Sequence, residues 1–326
     1  MKKALISGIS GQDGAYLAQL LLSKGYQVIG TSRDAASCSR RNLEFLNIAD
    51  RIEMRSMNAN EFRSVLATVV QIAPDEIYNL SGQSSVALSF EQPIETFESI
   101  VNATVNILEV MRFLDRPIRF YSAGSSEVFG NLDGQSADEA TPFQPRSPYA
   151  LAKATAFWTV ANFREAYGLF ACTGILFNHE SPLRPERFVT QKIVRTACRI
   201  ARGSDEMLSL GNLDIERDWG WAPEYVDAMW RMLQRDRPQD YIIATGQSMS
   251  LADFVAETFA VLEVDSRDRV QSDPGLLRPT DLRVGRANPA LAAQDLAWRA
   301  ETSPREVVRR MVEAELRRLD AAQLAL

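Results

Sequence analysis

The segment Ala4-Leu5-Ile6-Ser7-Gly8-Ile9-Ser10-Gly11-Gln12-Asp13-Gly14 runs a short apolar strand straight into a G-x-x-G-x-x-G turn. A helical apolar spacing follows at Tyr16, Leu17, Leu20 and Leu21, and Gly25 stands where that helix should stop. Glycines at such a turn let the backbone approach a pyrophosphate. The anion then lies at a helix N-terminus, where free N–H groups and the helix dipole favour it. The spacing is one residue looser than G-x-G-x-x-G. A second apolar strand, Gln27-Val28-Ile29-Gly30, completes the unit. Gly8, Gly11 and Gly14 therefore read as a dinucleotide-binding turn, with a purely structural tight turn as the alternative.

Strand and helix patterns keep alternating through the first half of the chain, the signature of a parallel sheet covered on both faces. Expected strands are Lys3–Ser7, Gln27–Thr31, Arg51–Arg55, Glu76–Asn79, Arg119–Ala123, Ala171–Phe177 and Tyr241–Thr245. Long helical patterns run from Pro93 to Leu114 and from Pro148 to Tyr167. After about Asn178 prolines such as Pro182, Pro223, Pro274 and Pro289 punctuate shorter elements. The expected class is α/β: a Rossmann-type doubly wound parallel sheet over residues 1–178, rejoined by 213–248, and a smaller mixed lobe within 179–326 that binds substrate.

The tip of the second strand reads Gly30-Thr31-Ser32-Arg33-Asp34. An acid at the tip would hold the ribose hydroxyls of NAD and repel a 2′-phosphate. No acid stands at Thr31, and Arg33, followed by Arg40 and Arg41, suits a phosphate. NADP is the expected cofactor, with Asp34 as the residue that could instead reach the ribose.

Tyr149 and Lys153 are four residues apart, so on a helix they share one face. Pro148 fits the first turn of that helix. A free tyrosine loses its proton only near pH ~10. A neighbouring ammonium would favour the phenolate and make it a usable base. Upstream, Ser122-Ala123-Gly124-Ser125-Ser126-Glu127 follows a strand, where small hydroxyls can reach a ligand in the crevice. Ser125 could share a substrate hydroxyl with Tyr149, and Glu127 could take a proton from carbon. A simple turn in which serines cap backbone N–H groups is the alternative.

Composition narrows the field. The net charge of −6 over 326 residues argues against a nucleic-acid surface. No apolar run reaches membrane-spanning length, and the start lacks the regions of a signal peptide, so a cytoplasmic protein is expected. Cys38, Cys172 and Cys198 are scattered and odd in number, which indicates neither a disulfide framework nor a zinc site. With His179 as the sole histidine, no histidine-based metal centre is expected.

At this point the chain resembles the extended short-chain dehydrogenase/reductase superfamily, and within it the GDP-mannose 4,6-dehydratase family. The likeness is carried by Gly8 to Gly14, Tyr78-Asn79-Leu80, Thr141-Pro142-Phe143-Gln144-Pro145-Arg146-Ser147-Pro148-Tyr149, Gly174 to Pro182, Leu210-Gly211-Asn212-Leu213-Asp214 and Arg217-Asp218-Trp219-Gly220. The resemblance implies that Tyr149 takes the C4 hydroxyl proton and that Lys153 lowers the tyrosine pKa and holds the nicotinamide ribose. It implies that Ser125 replaces a threonine, and that Glu127 takes the C5 proton and helps expel the C6 hydroxyl. By the same likeness Gln12, Asp13, Asn58 and Leu80 join the glycines and Arg33 at the cofactor. Ser85, Asn178, Val189, Lys192, Arg217 and Arg278 join Glu127 at the GDP-sugar. His179 is expected to be structural.

Several positions depart from the family pattern: Ser125, Ser85, Asn58 for an aspartate, Gln191 for an arginine and Arg283 for an acid. A 4-keto-6-deoxymannose reductase, or another nucleotide-sugar dehydratase or epimerase, stays open as the alternative. The superfamily also implies a homo-oligomer, a dimer or tetramer built on the helices Pro93–Leu114 and Pro148–Tyr167, with Arg33 to Arg41 reaching a neighbour.

Overall fold

The opening strand shows how the sheet is made. In β1 (Lys3–Ser7) Ala4 and Ile6 point into one apolar layer and Leu5 into the other, and all are buried. Strands buried on both faces need such unbroken apolar runs. The computed structural model, which describes residues 1–324, aligns β1 with β2 (Gln27–Ser32), β3 (Glu53–Ser56), β4 (Glu76–Asn79), β5 (Arg119–Ala123), β6 (Ala171–Leu176) and β10 (Tyr241–Ile243). Every neighbouring pair is parallel, in the order β3-β2-β1-β4-β5-β6-β10. The order reverses between β1 and β4, the place where doubly wound sheets open a ligand crevice.

Helices cover both faces. The helix Gln12–Ser23 packs with the helix Ala222–Gln234, burying Leu17, Leu21, Val226, Met229 and Leu233 against one side. Each such side chain contributes about 1.5–3 kcal/mol when fully buried. On the other side Val65, Val69, Ile107, Met111 and Val160 cover Leu5, Ile77 and Phe120.

The second half of the chain builds a separate core. A three-stranded sheet joins β7 (Asn178–Glu180), β9 (Glu216–Trp221) and β11 (Ser248–Ser250), and β8 (Leu208–Leu210) pairs with β12 (Val270–Ser272). Ile193, Ala197, Phe254, Phe259, Val308 and Met311 fill the space between its helices. Only the part of 213–248 after β9 adds to the large sheet; β9 itself pairs with β7 and β11.

β2 runs one residue past the expected Thr31 and β6 stops one short of Phe177, and three larger departures from the pattern have a visible local structure. Ala49–Arg51 forms a 3-10 turn, so β3 begins at Glu53 rather than Arg51. The last strand ends at Ile243, because the Asp218 carboxylate takes the N–H groups of Thr245 and Gly246 out of the ladder. The helix from Pro93 to Leu114 carries a π-turn at Glu98–Asn102. There Thr96 and Ser99 turn to hold Gln83, whose backbone N–H donates to Ser99 Oγ at 3.1 Å. The helix Pro148–Tyr167 has the expected bounds. No helix among the described residues is long and apolar enough to cross a membrane.

Candidate active site

One cavity of about 380 Å³ opens where β1, β4, β5 and β6 end. Its wall brings together Asp13, Leu80, Ser85, Ser125, Glu127, Tyr149, Lys153, Asn178, Val189, Lys192, Arg217 and Arg278, all of them expected from sequence. The glycines stand in the turn beneath it. Arg33 and Asn58 lie outside its lining, at the ends of β2 and β3.

The turn is held by close packing. Gly8 has φ +86°, and a Cβ there would come within 2.8 Å of the Leu80 backbone. At Gly14 a Cβ would meet the Gly8 carbonyl oxygen at 2.3 Å, so the helix could not approach the turn. The helix Gln12–Ser23 starts at Gly11 with no side-chain cap, leaving its first N–H groups free for an anion. This cradle fits a dinucleotide pyrophosphate. Asn42 Nδ2 ties the next loop to it by donating to the Ser10 carbonyl at 2.9 Å.

Gln12 and Asp13 do something the sequence did not announce. The Gln12 amide donates to the His179 carbonyl at 3.1 Å and accepts from Ser181 Oγ at 2.7 Å. Asp13 Oδ2 lies 2.9 Å from His179 Nε2, and the His179 Nδ1 lies 2.7 Å from the Phe177 carbonyl. Burial opposes both charges, yet the mutual attraction leaves Asp13 below its ordinary value and His179 above its own. The His179 ring stacks on Tyr225 at 4.6 Å. The side chains of Gln12 and Asp13 thus clamp the start of the helix to β7, and both ring nitrogens of His179 are held by protein atoms.

Asp34, the residue that could have chosen NAD, is turned into its own loop. Its carboxylate accepts from Ala36 N at 2.9 Å and Ser37 Oγ at 2.7 Å. Arg33 is exposed beside it. The Asn58 side chain caps Asn60 N at 3.2 Å.

On the opposite wall, Ser147 Oγ caps the helix Pro148–Tyr167 by accepting from Ala150 N at 3.1 Å. Tyr149 therefore sits in the first turn, beside the end of β5. Ser125 bonds to its hydroxyl and pulls its pKa down, but burial is the larger effect and pushes Tyr149 up to about 12. This is opposite to the direction expected from the Tyr149/Lys153 spacing. Burial sets the direction; Lys153 Nζ donates to the Ala123 carbonyl at 2.7 Å and stands 5.8 Å from the Tyr149 ring centre. Burial in turn lowers Lys153 to about 8.

Glu127 also carries a raised pKa. Burial is the main cause, and Asp281 adds to it, while Arg217 and Arg278 act the other way. A carboxyl raised in this manner suits proton transfer. Arg217, 6% exposed, donates to the Glu216 carbonyl at 3.0 Å and to Asp281 at 3.3 Å, and Arg278 lies 3.6 Å from that same carboxylate. Lys192 Nζ donates to the Ser209 carbonyl at 2.6 Å. Ser85 Oγ caps a short helix at Leu88 N. No cluster of three metal-ligating side chains occurs among the described residues.

Sequence reasoning missed Arg184, Arg187 and Asp281, which also line the cavity. The signal was present in Arg184-Pro185-Glu186-Arg187-Phe188, cations placed just ahead of a helix start, and in the three-residue step from Arg278 to Asp281.

A family model for GDP-mannose 4,6 dehydratase matches residues 5–311. GDP-mannose 4,6-dehydratase of Sinorhizobium fredii is 44% identical, with 97% of each chain covered. GDP-mannose 4,6 dehydratase 1 of Arabidopsis thaliana is 40% identical over 97% of this chain and 90% of its own. Among solved structures, dTDP-glucose 4,6-dehydratase from Bacillus anthracis in complex with NAD superposes with a TM-score of 0.86 at 17% identity, covering 98% of both chains. RMD from Pseudomonas aeruginosa complexed with NADPH gives 0.80 at 20% identity, over 98% of this chain and 100% of that one. At such identities the structures speak for the fold.

Proposed function

Because the chain belongs to the GDP-mannose 4,6-dehydratase family, we propose that its cavity converts GDP-mannose to GDP-4-dehydro-6-deoxymannose, a hydro-lyase reaction assisted by NADP. The observation that carries the reading is that Glu127 shares one wall with Ser125, Tyr149 and Lys153. An oxidoreductase alone has no need of a carboxyl there.

The chemistry a nicotinamide cofactor supplies here, when bound, is reversible hydride transfer. Tyr149, bonded to Ser125, accepts the C4 hydroxyl proton, and Lys153 stabilises the phenolate. A carbonyl at C4 makes the C5 proton acidic. Glu127 removes that proton and hands one to the C6 hydroxyl, which leaves as water. The hydride taken from C4 would then return to C6, and a proton matching the one Tyr149 took would return to C5, so no net oxidation results. Arg217 and Arg278, facing Glu127, and Val189 and Lys192, at the start of the helix Val189–Ala201, hold the nucleotide end.

NADP is preferred over NAD because Arg33 is exposed at the strand tip while Asp34 is bonded within its own loop. Residues 1–178 and the strand after β9 form the cofactor half, and the remainder binds the nucleotide sugar. Leu151 and Trp158, exposed seven residues apart on the helix Pro148–Tyr167, support a homo-oligomer, at least a dimer. Three unpaired cysteines suit a cytoplasmic setting.

Glu127→Gln tests the function. In a single turnover with GDP-mannose, water loss and C5 proton exchange should slow by about 10²–10⁴-fold. Reduced cofactor should still appear, because oxidation at C4 does not use Glu127. Dehydration by this variant near the wild-type rate would sink the mechanism.

A further inference from the structure

We propose that Arg187 is a substrate-binding residue for the nucleotide sugar, closing its guanidinium on the substrate diphosphate at the first turn of the helix Val189–Ala201. The inference rests on the reading of the cavity as a GDP-sugar site and adds a residue to it.

The cations lining this cavity are not equivalent. Lys153 and Lys192 each donate to a backbone carbonyl, at 2.7 and 2.6 Å. Arg217 and Arg278 share Asp281. Arg184 lies 3.3 Å from Glu180 and stacks on Phe188 at 3.8 Å. Arg187 is exposed, and among the described residues neither a carboxylate nor a carbonyl holds it. Its guanidinium lies loosely over Phe188, 5.2 Å from the ring centre. The adjacent acid does not neutralise it, since Glu186 faces Arg195 at 2.9 Å and Arg199 at 3.5 Å.

The surroundings ask for an anion as well. Phe188 is the N-cap of the helix Val189–Ala201 and provides no side-chain cap. Val189 and Thr190 line the cavity in the first turn, so unpaired N–H groups and the positive end of the dipole lie next to Arg187. Of the parts of a nucleotide sugar, only the diphosphate is charged. The pyrophosphate of the cofactor has its own seat at the glycine turn, at the start of a different helix. A free planar fork matches phosphate oxygens in pairs. Arg187 can therefore reach the bound diphosphate without first breaking an ion pair.

Binding of GDP, GDP-mannose and NADP to wild type, Arg187→Ala and Arg187→Lys, measured by titration calorimetry, tests this. For Arg187→Ala the dissociation constants of GDP and GDP-mannose should rise about 10–100-fold, as for a lost charge-assisted hydrogen bond. NADP should bind within about twofold of wild type, and KM should rise while kcat changes little. Arg187→Lys, which restores charge but not the fork, should recover part of the affinity. Because Arg187 is exposed, thermal unfolding should not shift, which separates lost contact from lost fold. Equal GDP affinity in wild type and Arg187→Ala, or weakening confined to NADP, overturns the proposal. Failure of the unaltered protein to bind GDP-mannose overturns the function instead, so the two readings fail separately.

Discussion

Two polar clusters meet at the same cavity, and they are built on different terms. Near the glycine turn, Gln12, Asp13, His179 and Ser181 satisfy one another: amide to carbonyl, hydroxyl to amide, carboxylate to imidazole. At the end of β5, Tyr149 has been pushed up to about 12 and Lys153 down to about 8 by burial, with few bonds to offset it. The first cluster is what a folded protein does with buried polar groups when it uses them as glue. The second keeps the Tyr149 phenol neutral and, at neutral pH, holds the Lys153 ammonium against the cost of its burial. The contrast teaches where to look for chemistry: the polar groups that matter most for reaction are those the fold has left least satisfied.

Removing the Tyr149 hydroxyl is the strongest test of that contrast. Tyr149→Phe should lower turnover of GDP-mannose by about 10²–10⁴-fold or more, since Tyr149 is the proposed acceptor of the C4 proton. The fold should tolerate it, because the lost hydroxyl is one that burial already disfavours in its charged form. Rates from product formation and a melting curve decide it. A variant that keeps a tenth of wild-type turnover would break the assignment, and one that unfolds would break the comparison.

The opposite cluster should respond the other way. Asp13→Asn should lower stability by about 1–3 kcal/mol, the usual cost of leaving a buried partner poorly satisfied, because His179 then loses its proton or its bond. The pH dependence follows from the directions. His179 lies above its ordinary value, so its contribution is full below about pH 6.5 and fades as pH rises through the raised value. Asp13 lies below its own, so its contribution is present above about pH 4 and is lost as pH falls through the lowered value. The gap between wild type and Asp13→Asn in denaturant unfolding should therefore be widest between about pH 4 and 6.5 and narrow toward alkaline pH. A gap that widens above neutrality would show that the pair is not charged.

How much of this was legible in the chain follows the same division. Local patterns carried the strand, glycine turn and helix at residues 3–23, and the helix Pro148–Tyr167, because each is set by residues a few positions apart. The residues that meet in the cavity were legible through motif likeness rather than periodicity. What the pattern could not carry was long-range pairing. Nothing near Asp13 says that its partner is His179, 166 positions on. The π-turn at Glu98–Asn102 is likewise invisible, since the apolar period continues on both sides and the residue it bonds, Gln83, lies in another loop. The Tyr149 shift is hidden from the pattern for a related reason: spacing places Lys153 on the right face, but burial, which depends on the whole fold, sets the direction, and the Ala123 carbonyl takes the ammonium.

Lys153 gives the smallest effect and the finest test, because it separates stability from function at one atom. Its pKa falls from an ordinary 10.5 to about 8 on folding. The unfolded chain thus binds more protons than the folded one between those values, and stability of the ligand-free protein should rise with pH across that interval. At neutral pH the ammonium is a liability of at most about 3–4 kcal/mol, at ~1.4 kcal/mol per unit over the fall from 10.5 to about 8. Its 2.7 Å bond to the Ala123 carbonyl already offsets part of this. Lys153→Met keeps the length and apolar stem while removing the charge, so the ligand-free variant should match or exceed wild type in stability at pH 7. Above about pH 10 that advantage should vanish. Turnover should be lost at every pH. Unfolding curves of both proteins across this range are the measurement. A Met variant that is less stable at pH 7, with wild type flat from pH 8 to 10, would show that Lys153 belongs with the glue and not with the chemistry.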